Sequence, residues 1–342
     1  MIRNRLRSVA SLSFLTAATG VLLLSASASA AATTSNVGGD ALRISPVRTD
    51  LTIQPGTTQT VDVYVQNVTA QTITLNGVVD DFTASSNESG EPDILLNGQE
   101  APSHSLKQFV APIGTFSLTS NQEKDVKVSI TIPKGVAGGG YYGAVRFEPA
   151  NTNNGSTVNL AASVGSLVLV KVPGNITEKM SLASFDVRPY DSKTQTDGSP
   201  STIFTSGKNL DAVVRLQNQG DVQEEPFGKV VLKKGGKQIA LYEINNSNPR
   251  GNVLPDSIRR FTAHLTGIGS IGKYTIEGNF GYGSNGQLLT ASKTFYIVPV
   301  VDIVLGLVVI ALIAFLIFGL PKLIRSYNRS VVQKATRSKK KR

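Results

Sequence analysis

The sequence has 342 residues, no cysteine, two histidines and a net charge of +10. Without cysteine neither a disulfide framework nor a thiolate metal site can form, and two histidines leave little material for a zinc site or a Ser-His-Asp triad. The charge sits at the ends: nine basic residues follow Asp302, and Arg3, Arg5 and Arg7 open the chain, whereas the middle carries 22 basic against 23 acidic residues. A nucleic-acid role for the main body therefore has no electrostatic basis.

Residues 1–30 have the pattern of a secretory signal peptide. The basic start is followed by a stretch rich in Leu and Ala, and small residues end it at Ala28, Ser29 and Ala30. This order of basic, apolar and small segments predicts export with cleavage near Ala30. An uncleaved anchor is the alternative, and in both cases the chain that follows is exported.

Residues 31–180 are predicted to form a first Ig-like β-sandwich. Val61, Val63 and Val65 alternate with polar residues, and residues 126–132 repeat this pattern. Alternation with a period of two places the apolar row on one face, as a half-buried strand requires. Pairs of Asn-Gly or Gly-Gly predict turns at Asn76-Gly77, Asn97-Gly98, Asn154-Gly155, Gly235-Gly236 and Asn285-Gly286.

Residues 181–298 are predicted to form a second Ig-like β-sandwich. Tyr274, Ile276, Phe280 and Tyr282 share one face of a strand, and no segment before residue 298 has a long helical repeat. The domain boundary is placed near residue 180, and the polar stretch 191–200 is either a linker remnant or a loop of the second domain. The predicted fold is therefore all-β, with two Ig-like sandwiches in tandem.

Residues 299–320 are predicted to form one transmembrane helix, since they are apolar except for Asp302 and long enough to cross a hydrocarbon core of about 30 Å. The basic segment 321–342 follows directly. By the positive-inside rule this tail is cytoplasmic and the sandwiches lie outside the cell, in a single-pass plasma-membrane protein. The end of the tail is predicted to contact anionic lipid through Lys339, Lys340, Lys341 and Arg342.

The candidate binding surface combines an acidic loop with two tyrosines. The loop 83–104 is long, and loops of that length are functional or mobile more often than simple connectors. The candidate residues are Glu88, Glu91, Asp93, Tyr141 and Tyr142. Neighbours on a strand face opposite ways, so at least one of the tyrosines is expected in the core. The sequence predicts no catalytic residues, no metal site and no cofactor, and hence not an enzyme.

Four segments of the first domain resemble the N-terminal Ig-like domain of bacterial WxL-interacting surface proteins. They are Leu51-Thr52-Ile53-Gln54-Pro55-Gly56, the strand from Val61 to Asn67, Ile130-Thr131-Ile132-Pro133, and Gly140-Tyr141-Tyr142-Gly143-Ala144-Val145. The family is built as a signal, two Ig-like domains, one membrane helix and a basic tail. The resemblance implies that the first domain contacts peptidoglycan and the second contacts host or partner proteins. The second domain departs from the family pattern and looks like a generic exported Ig-like module.

Two functions follow as hypotheses. The first is a non-enzymatic, membrane-anchored cell-surface scaffold whose first domain binds peptidoglycan or a surface protein. The alternative is an assembly protein that lends an edge strand to exported partners, since the first domain also resembles the Ig-like halves of pilus chaperones in its Pro-Gly turn and its strand ending in Asn. The expected partners are the cell membrane, peptidoglycan and surface proteins, and not nucleic acid.

Overall fold

The computed structural model describes residues 41–150 and 165–339, which form two β-sandwiches followed by a long helix. The first sandwich contains β1 Leu42–Ser45, β2 Arg48–Thr52, β3 Thr57–Asn67, β4 Ile73–Asp80, β5 Phe82–Ala84, β6 Pro92–Ile94, β7 Thr115–Leu118, β8 Glu123–Ile132, β9 Gly139–Pro149 and β10 Gly165–Val172. The second contains β11 Met180–Asp191, β12 Thr196–Asp197, β13 Ile203–Phe204, β14 Leu210–Asn218, β15 Phe227–Lys234, β16 Lys237–Ile244, β17 Ile258–Leu265, β18 Gly272–Tyr282 and β19 Gln287–Ile297. The predicted all-β fold of two sandwiches is confirmed. The predicted signal peptide and the predicted turn at Asn154-Gly155 lie outside the described residues.

The first sandwich packs a sheet ordered β1-β3-β8 against one ordered β2-β10-β9-β4-β7. In the smaller sheet Val61 pairs with Val128 and Val63 with Val126, so the alternating residues of β3 and β8 form one buried apolar layer. The larger sheet supplies the facing layer, including Val145, Phe147 and Val170. β10 pairs with β9 on one side and, in parallel, with β2 on the other.

The second sandwich packs a sheet ordered β12-β11-β14-β17 against one ordered β13-β19-β18-β15-β16. Tyr274, Ile276, Phe280 and Tyr282 of β18 all lie in its core, as their shared face predicts. β18 and β19 pair along eleven residues, from Gly272↔Ile297 to Tyr282↔Gln287. Residues 173–179 connect the sandwiches, and the polar stretch 191–200 lies within the second one, where it contains the end of β11, a turn and β12.

The predicted turn at Asn76-Gly77 is wrong, because both residues lie inside β4. A Cβ added to Gly77 would lie only 2.1 Å from Cγ2 of Ile113, so the glycine allows this side chain to pack onto the strand. The turns predicted at Asn97-Gly98, Gly235-Gly236 and Asn285-Gly286 are present. The Asn-Gly pair is thus a close-packing site at Asn76-Gly77 and a turn at Asn97-Gly98 and Asn285-Gly286.

The C-terminal helix begins at Val300 and continues to Lys339, as α1 Val300–Ala314, a π-helical turn Phe315–Gly319 and α2 Leu320–Lys339. The segment Val300–Arg329 is long and apolar enough to cross a membrane. The predicted apolar helix is therefore confirmed, but the helix runs past its predicted end at residue 320. The π turn lies just before Pro321, which has no N–H to donate to the preceding turn. Only Val298 and Pro299 separate β19 from this helix, and the N–H of Val298 already bonds to the carbonyl of Phe204, 2.8 Å away.

Candidate functional site

The acidic loop 83–104 folds into a small hairpin that contacts the second sandwich. β5 and β6 pair, and Glu88 lies in the turn between them. Its carboxylate accepts a hydrogen bond from Nε of Arg215 at 2.6 Å and contacts Nη2 of the same arginine, while its carbonyl accepts the N–H of Arg260 at 2.8 Å. The hydrogen bond from Arg215 lowers the pKa of Glu88. Glu88 is therefore engaged within the protein, whereas Glu91 and Asp93 are exposed and remain predicted contacts.

The two neighbouring tyrosines of β9 differ sharply in exposure. Tyr142 is only 3% exposed, and its hydroxyl donates to Oε1 of Gln223 in the second sandwich, 3.1 Å away. Burial raises the pKa of this phenol. The prediction that Tyr142 belongs to an exposed binding surface is wrong, because its ring packs between Phe82 and His104. Tyr141 points to the other face of the strand and is half-buried.

A groove of about 420 Å³ lies beside Tyr141 and is called the Tyr141 groove. Its walls are residues 100–105, Lys107, Gln108 and Tyr141. The fully buried carboxylate of Asp81 shapes this wall, since it accepts the N–H of Ala101 at 3.0 Å and the hydroxyl of Ser105 at 2.9 Å.

The chemistry of the Tyr141 groove suits a polar ligand with apolar faces. The Tyr141 ring meets Phe109 edge-on at 5.4 Å, and its hydroxyl donates to the carbonyl of Ala137 at 3.0 Å, which fixes the ring. Burial raises the pKa of Tyr141, so the phenol stays neutral. A fixed aromatic ring beside amide, hydroxyl, carboxylate and ammonium groups can pack on a sugar ring and bond to its hydroxyls.

Arg48 of the first sandwich makes a dense set of contacts to the second. Its guanidinium donates to the carbonyl of Arg250 at 2.8 Å, to Glu225 at 2.6 Å and to Oδ1 of Asn252 at 3.0 Å. It also pairs with Asp50 of its own strand at 2.7 Å. Burial lowers the pKa of Arg48, but the bonds to Asp50 and Glu225 outweigh this and raise it. Arg48 is thus a fully neutralised cation that joins the two sandwiches.

A cleft of about 450 Å³ lies beside this contact. It is lined by two carboxylates, those of Glu178 and Glu224, whose pKa values are shifted in opposite directions. Glu178 accepts hydrogen bonds from Lys171 at 2.9 Å and from the N–H of Ser284 at 2.7 Å. Burial raises the pKa of Glu178, but these hydrogen bonds outweigh burial and lower the pKa to about 2. Glu224 is 4% exposed; one oxygen accepts the N–H of Gly283 at 2.9 Å and Oε1 has no partner. Burial and repulsion from Glu178 raise the pKa of Glu224 to about 7. No group of three His, Asp or Glu side chains within residues 41–150 and 165–339 is arranged to hold a metal ion.

Residues 49–149 match the family described as WxL Interacting Protein, peptidoglycan binding domain. The first sandwich belongs to this domain family over that segment. The match covers β3 to β9 and includes Tyr141 and every residue lining its groove. It ends before β10 and does not reach the second sandwich.

Among solved structures, three fimbrial or related chaperones are similar in fold. The class 5 fimbriae chaperone CfaA is 12% identical, with 75% of this chain and 99% of that chain covered and a TM-score of 0.36. The E. coli chaperone DraB is 13% identical over 75% and 97%, with a TM-score of 0.32, and the Pseudomonas aeruginosa chaperone CupB2 is 10% identical over 73% and 99%, with a TM-score of 0.31. Identities and scores this low imply no shared function. A comparison with curated proteins gave no match.

Proposed function

We propose that this chain is a membrane-anchored surface protein whose first sandwich binds peptidoglycan without acting on it. The observation that carries this proposal is the match of residues 49–149 to a peptidoglycan-binding domain family. The apolar helix from Val300 supports the membrane anchor. We assign the contact to the Tyr141 groove, because the groove lies inside the matched segment and offers a fixed aromatic ring among polar groups.

Replacing Tyr141 with alanine is expected to weaken binding to purified peptidoglycan about tenfold, the loss of roughly one aromatic contact. The measurement is co-sedimentation of the full-length, detergent-solubilised protein with insoluble peptidoglycan over a range of protein concentrations. Tyr64→Ala is the control, since Tyr64 is an exposed tyrosine on β3 of the opposite sheet, away from the groove. Equal losses in both variants would remove the groove from the proposal, and no retention of the unaltered protein at low salt would remove peptidoglycan binding itself.

The sandwiches are proposed to lie outside the cell and the C-terminus inside, because the nine basic residues after Asp302 are costly to translocate. A tag fused after Arg342 is then expected to be protected from protease on intact cells, while sites in the exposed hairpin around Glu91 are cleaved. Both sets of sites should be cleaved after the cells are opened. A tag that is digested on intact cells would reverse the orientation.

The alternative function, in which this chain lends an edge strand to an exported partner, remains a prediction. No contact within the described residues supports it. β10, the last strand of the first sandwich, has β2 and β9 on its two sides and so offers no open edge along residues 167–171. The edge of β8 is partly covered, since the N–H of Ala111 bonds to the carbonyl of Ser129 at 2.9 Å. A partner strand would have to pair elsewhere.

A further inference from the structure

One end of the second sandwich lies directly beside the start of the apolar helix. β19 ends at Ile297, and only Val298 and Pro299 separate it from Val300. The apolar stretch from Val300 to Leu320 is about 30 Å long, as thick as the hydrocarbon core, so none of it is left over as a stalk outside the bilayer. We call this end of the sandwich the proximal end, and it faces the lipid headgroups when α1 crosses a membrane.

The proximal end is formed by turns that lie beside the last residues of β19. Gly272 begins β18 and pairs with Ile297, and Leu210 begins β14 and pairs with Leu265, the last residue of β17. β15 ends beside the start of β18, and β11 ends beside the start of β14, because each pair of strands is antiparallel. The turns that meet at this end are therefore 192–195, 205–209, 235–236 and 266–271.

Large apolar side chains are exposed at the proximal end. Ile203 and Ile271 are each 60% exposed, and Tyr296 is 42% exposed. Tyr296 pairs with Ile203 on one side and with Lys273 on the other. Because directly paired residues point the same way, these three side chains form one row on the outer face of the sheet. Tyrosine and lysine at such a place can bury their apolar atoms in a membrane interface while their polar tips stay in water.

The proximal end is also strongly basic. Within the segments 191–196, 205–209, 234–237 and 266–273, all of which the structure describes, the one acidic residue is Asp191. The same segments carry five exposed lysines: Lys193, Lys208, Lys234, Lys237 and Lys273. The hairpin and the loop beside it are in contact, since Nζ of Lys234 donates to the carbonyl of Ile271 at 3.5 Å. The lysines therefore surround the exposed apolar side chains.

The other end of the second sandwich, at its junction with the first, has the opposite charge. The turns there, 219–226, 245–257 and 283–286, carry four acidic residues and one basic residue, Arg250. Lysines that served only to keep the domain soluble would be spread over both ends. Their separation from the acids places a positive field on the side towards the bilayer, which is the distribution expected beside an anionic membrane surface.

We propose that the proximal end of the second sandwich binds the anionic lipid headgroups of the bilayer surface that it faces. Ile203, Ile271 and Tyr296 insert at the level of the headgroups, and the surrounding lysines lie against lipid phosphates. This inference rests on the membrane anchor of the proposed function and is independent of peptidoglycan binding. The second sandwich is then fixed on the bilayer and does not turn freely about Val298 and Pro299.

The connection to the helix is short enough for this contact. Tyr296 precedes Val300 by four residues, which span at most about 14 Å. The headgroup region on each side of the bilayer is roughly 5–7 Å thick, and the partners of Tyr296 lie about 5 Å from it on the neighbouring strands. Docking therefore requires a change only in the two connecting residues and none within the sandwich.

The chain contains no tryptophan, so one introduced tryptophan reports on one position. The full-length protein with Ile271→Trp is reconstituted into nanodiscs of equal parts phosphatidylcholine and phosphatidylglycerol, some lipids carrying a spin label on the headgroup. Its fluorescence is expected to be quenched by the labelled lipid and shifted to shorter wavelength. Leu288→Trp is the matched control, because Leu288 is 62% exposed on the same strand as Tyr296 but lies about 26 Å from it. Its fluorescence should be neither quenched nor shifted.

Charge reversal tests the role of the lysines in the same nanodiscs. Adding Lys208→Glu and Lys273→Glu to Ile271→Trp is expected to lower the ratio of docked to undocked protein at least about tenfold, because each lysine beside an anionic surface contributes roughly fivefold. Lys179→Glu with Lys229→Glu is the matched control, since both lysines are exposed nearer to the junction, and it should leave the quenching unchanged. Nanodiscs of phosphatidylcholine alone should weaken the quenching as the first pair does.

The possible failures are distinguishable. Equal quenching of Ile271→Trp and Leu288→Trp would rule out the proximal end as the contact. Quenching that depends on neither lipid charge nor the lysines would mean that the short connection alone holds the sandwich near the bilayer. A shift to shorter wavelength without lipid quenching would mean that a second copy of the chain covers this surface. Failure of the protein to enter nanodiscs would remove the membrane anchor as well, whereas retention on peptidoglycan is measured separately and would be unaffected by the other outcomes.

Discussion

Replacing Asp80 with alanine is expected to lower the free energy of unfolding by about 3–5 kcal/mol, because it leaves a buried arginine without its counterion. Asp80 ends β4 and Arg146 lies on the neighbouring strand β9. Their side chains are each 8% exposed, and Oδ2 of Asp80 lies 2.7 Å from Nε and 2.6 Å from Nη2 of Arg146. Arg146 has only one other carboxylate within ion-pair distance among the described residues, that of Glu148 at 3.8 Å.

The measurement is urea unfolding of the full-length protein in detergent, followed by intrinsic fluorescence. Asp62→Ala is the control, since Asp62 pairs with the largely exposed Lys127 on the outer side of β3 and β8, and its loss should cost far less than that of Asp80. The double variant Asp80→Leu, Arg146→Met should recover most of the lost stability, because it removes both charges together. A loss for Asp80→Ala no larger than that for Asp62→Ala would contradict the buried ion pair.

The second large effect expected is a rise in stability as the pH falls from about 8 to about 5, with Glu224 as its source. The folded-state pKa of Glu224, about 7, lies above its ordinary value of 4.5. Folding therefore favours the protonated form, so the ionised carboxylate destabilises the protein above pH 7 and this penalty disappears on the way down to 4.5. The shift corresponds to at most roughly 3 kcal/mol.

Glu178 acts in the opposite direction and in a lower pH window. Its folded-state pKa of about 2 lies below 4.5, so its contribution is complete above 4.5 and is lost only as the pH falls towards 2. The two groups together place the stability maximum near the ordinary pKa of a glutamate. Acidification through the neutral range should therefore strengthen the junction before stronger acid weakens it.

Thermal unfolding at several pH values tests this with Glu224→Gln, which should flatten the dependence between about pH 8 and pH 5. Glu243→Gln serves as control, since Glu243 is an exposed glutamate on β16 of the same sandwich. Parallel curves for the unaltered protein and Glu224→Gln would show that another group causes the pH dependence.

The buried face of a strand could be predicted where it follows from the alternation of apolar and polar residues along that strand. Val61, Val63 and Val65 reveal their buried face by alternation alone, and the same holds for Tyr274 and Ile276 of β18. Gly77 was not predictable, since the reason for a glycine there is Ile113, a contact made through the fold. The local pattern of Asn-Gly is the same in a turn and in a strand that another side chain covers.

The site was less predictable because its determinants are long-range. Alternation along β9 correctly indicated that one of Tyr141 and Tyr142 would be buried, but not which one. Glu88 looks like a free loop acid until Arg215, 127 residues away in sequence, is placed beside it.

The two-residue connection between β19 and the apolar helix has a mechanical consequence. Val298 and Pro299 can span at most about 7 Å, so the tether has almost no slack. The β18–β19 turn lies beside Glu178 at the junction end, and β19 leaves the sandwich at its far end. If the first sandwich binds the wall as proposed, tension between it and the membrane would run along β19 and load all eleven residue pairs of its ladder with β18 at once. All the hydrogen bonds of that ladder would then share the load, instead of breaking one after another.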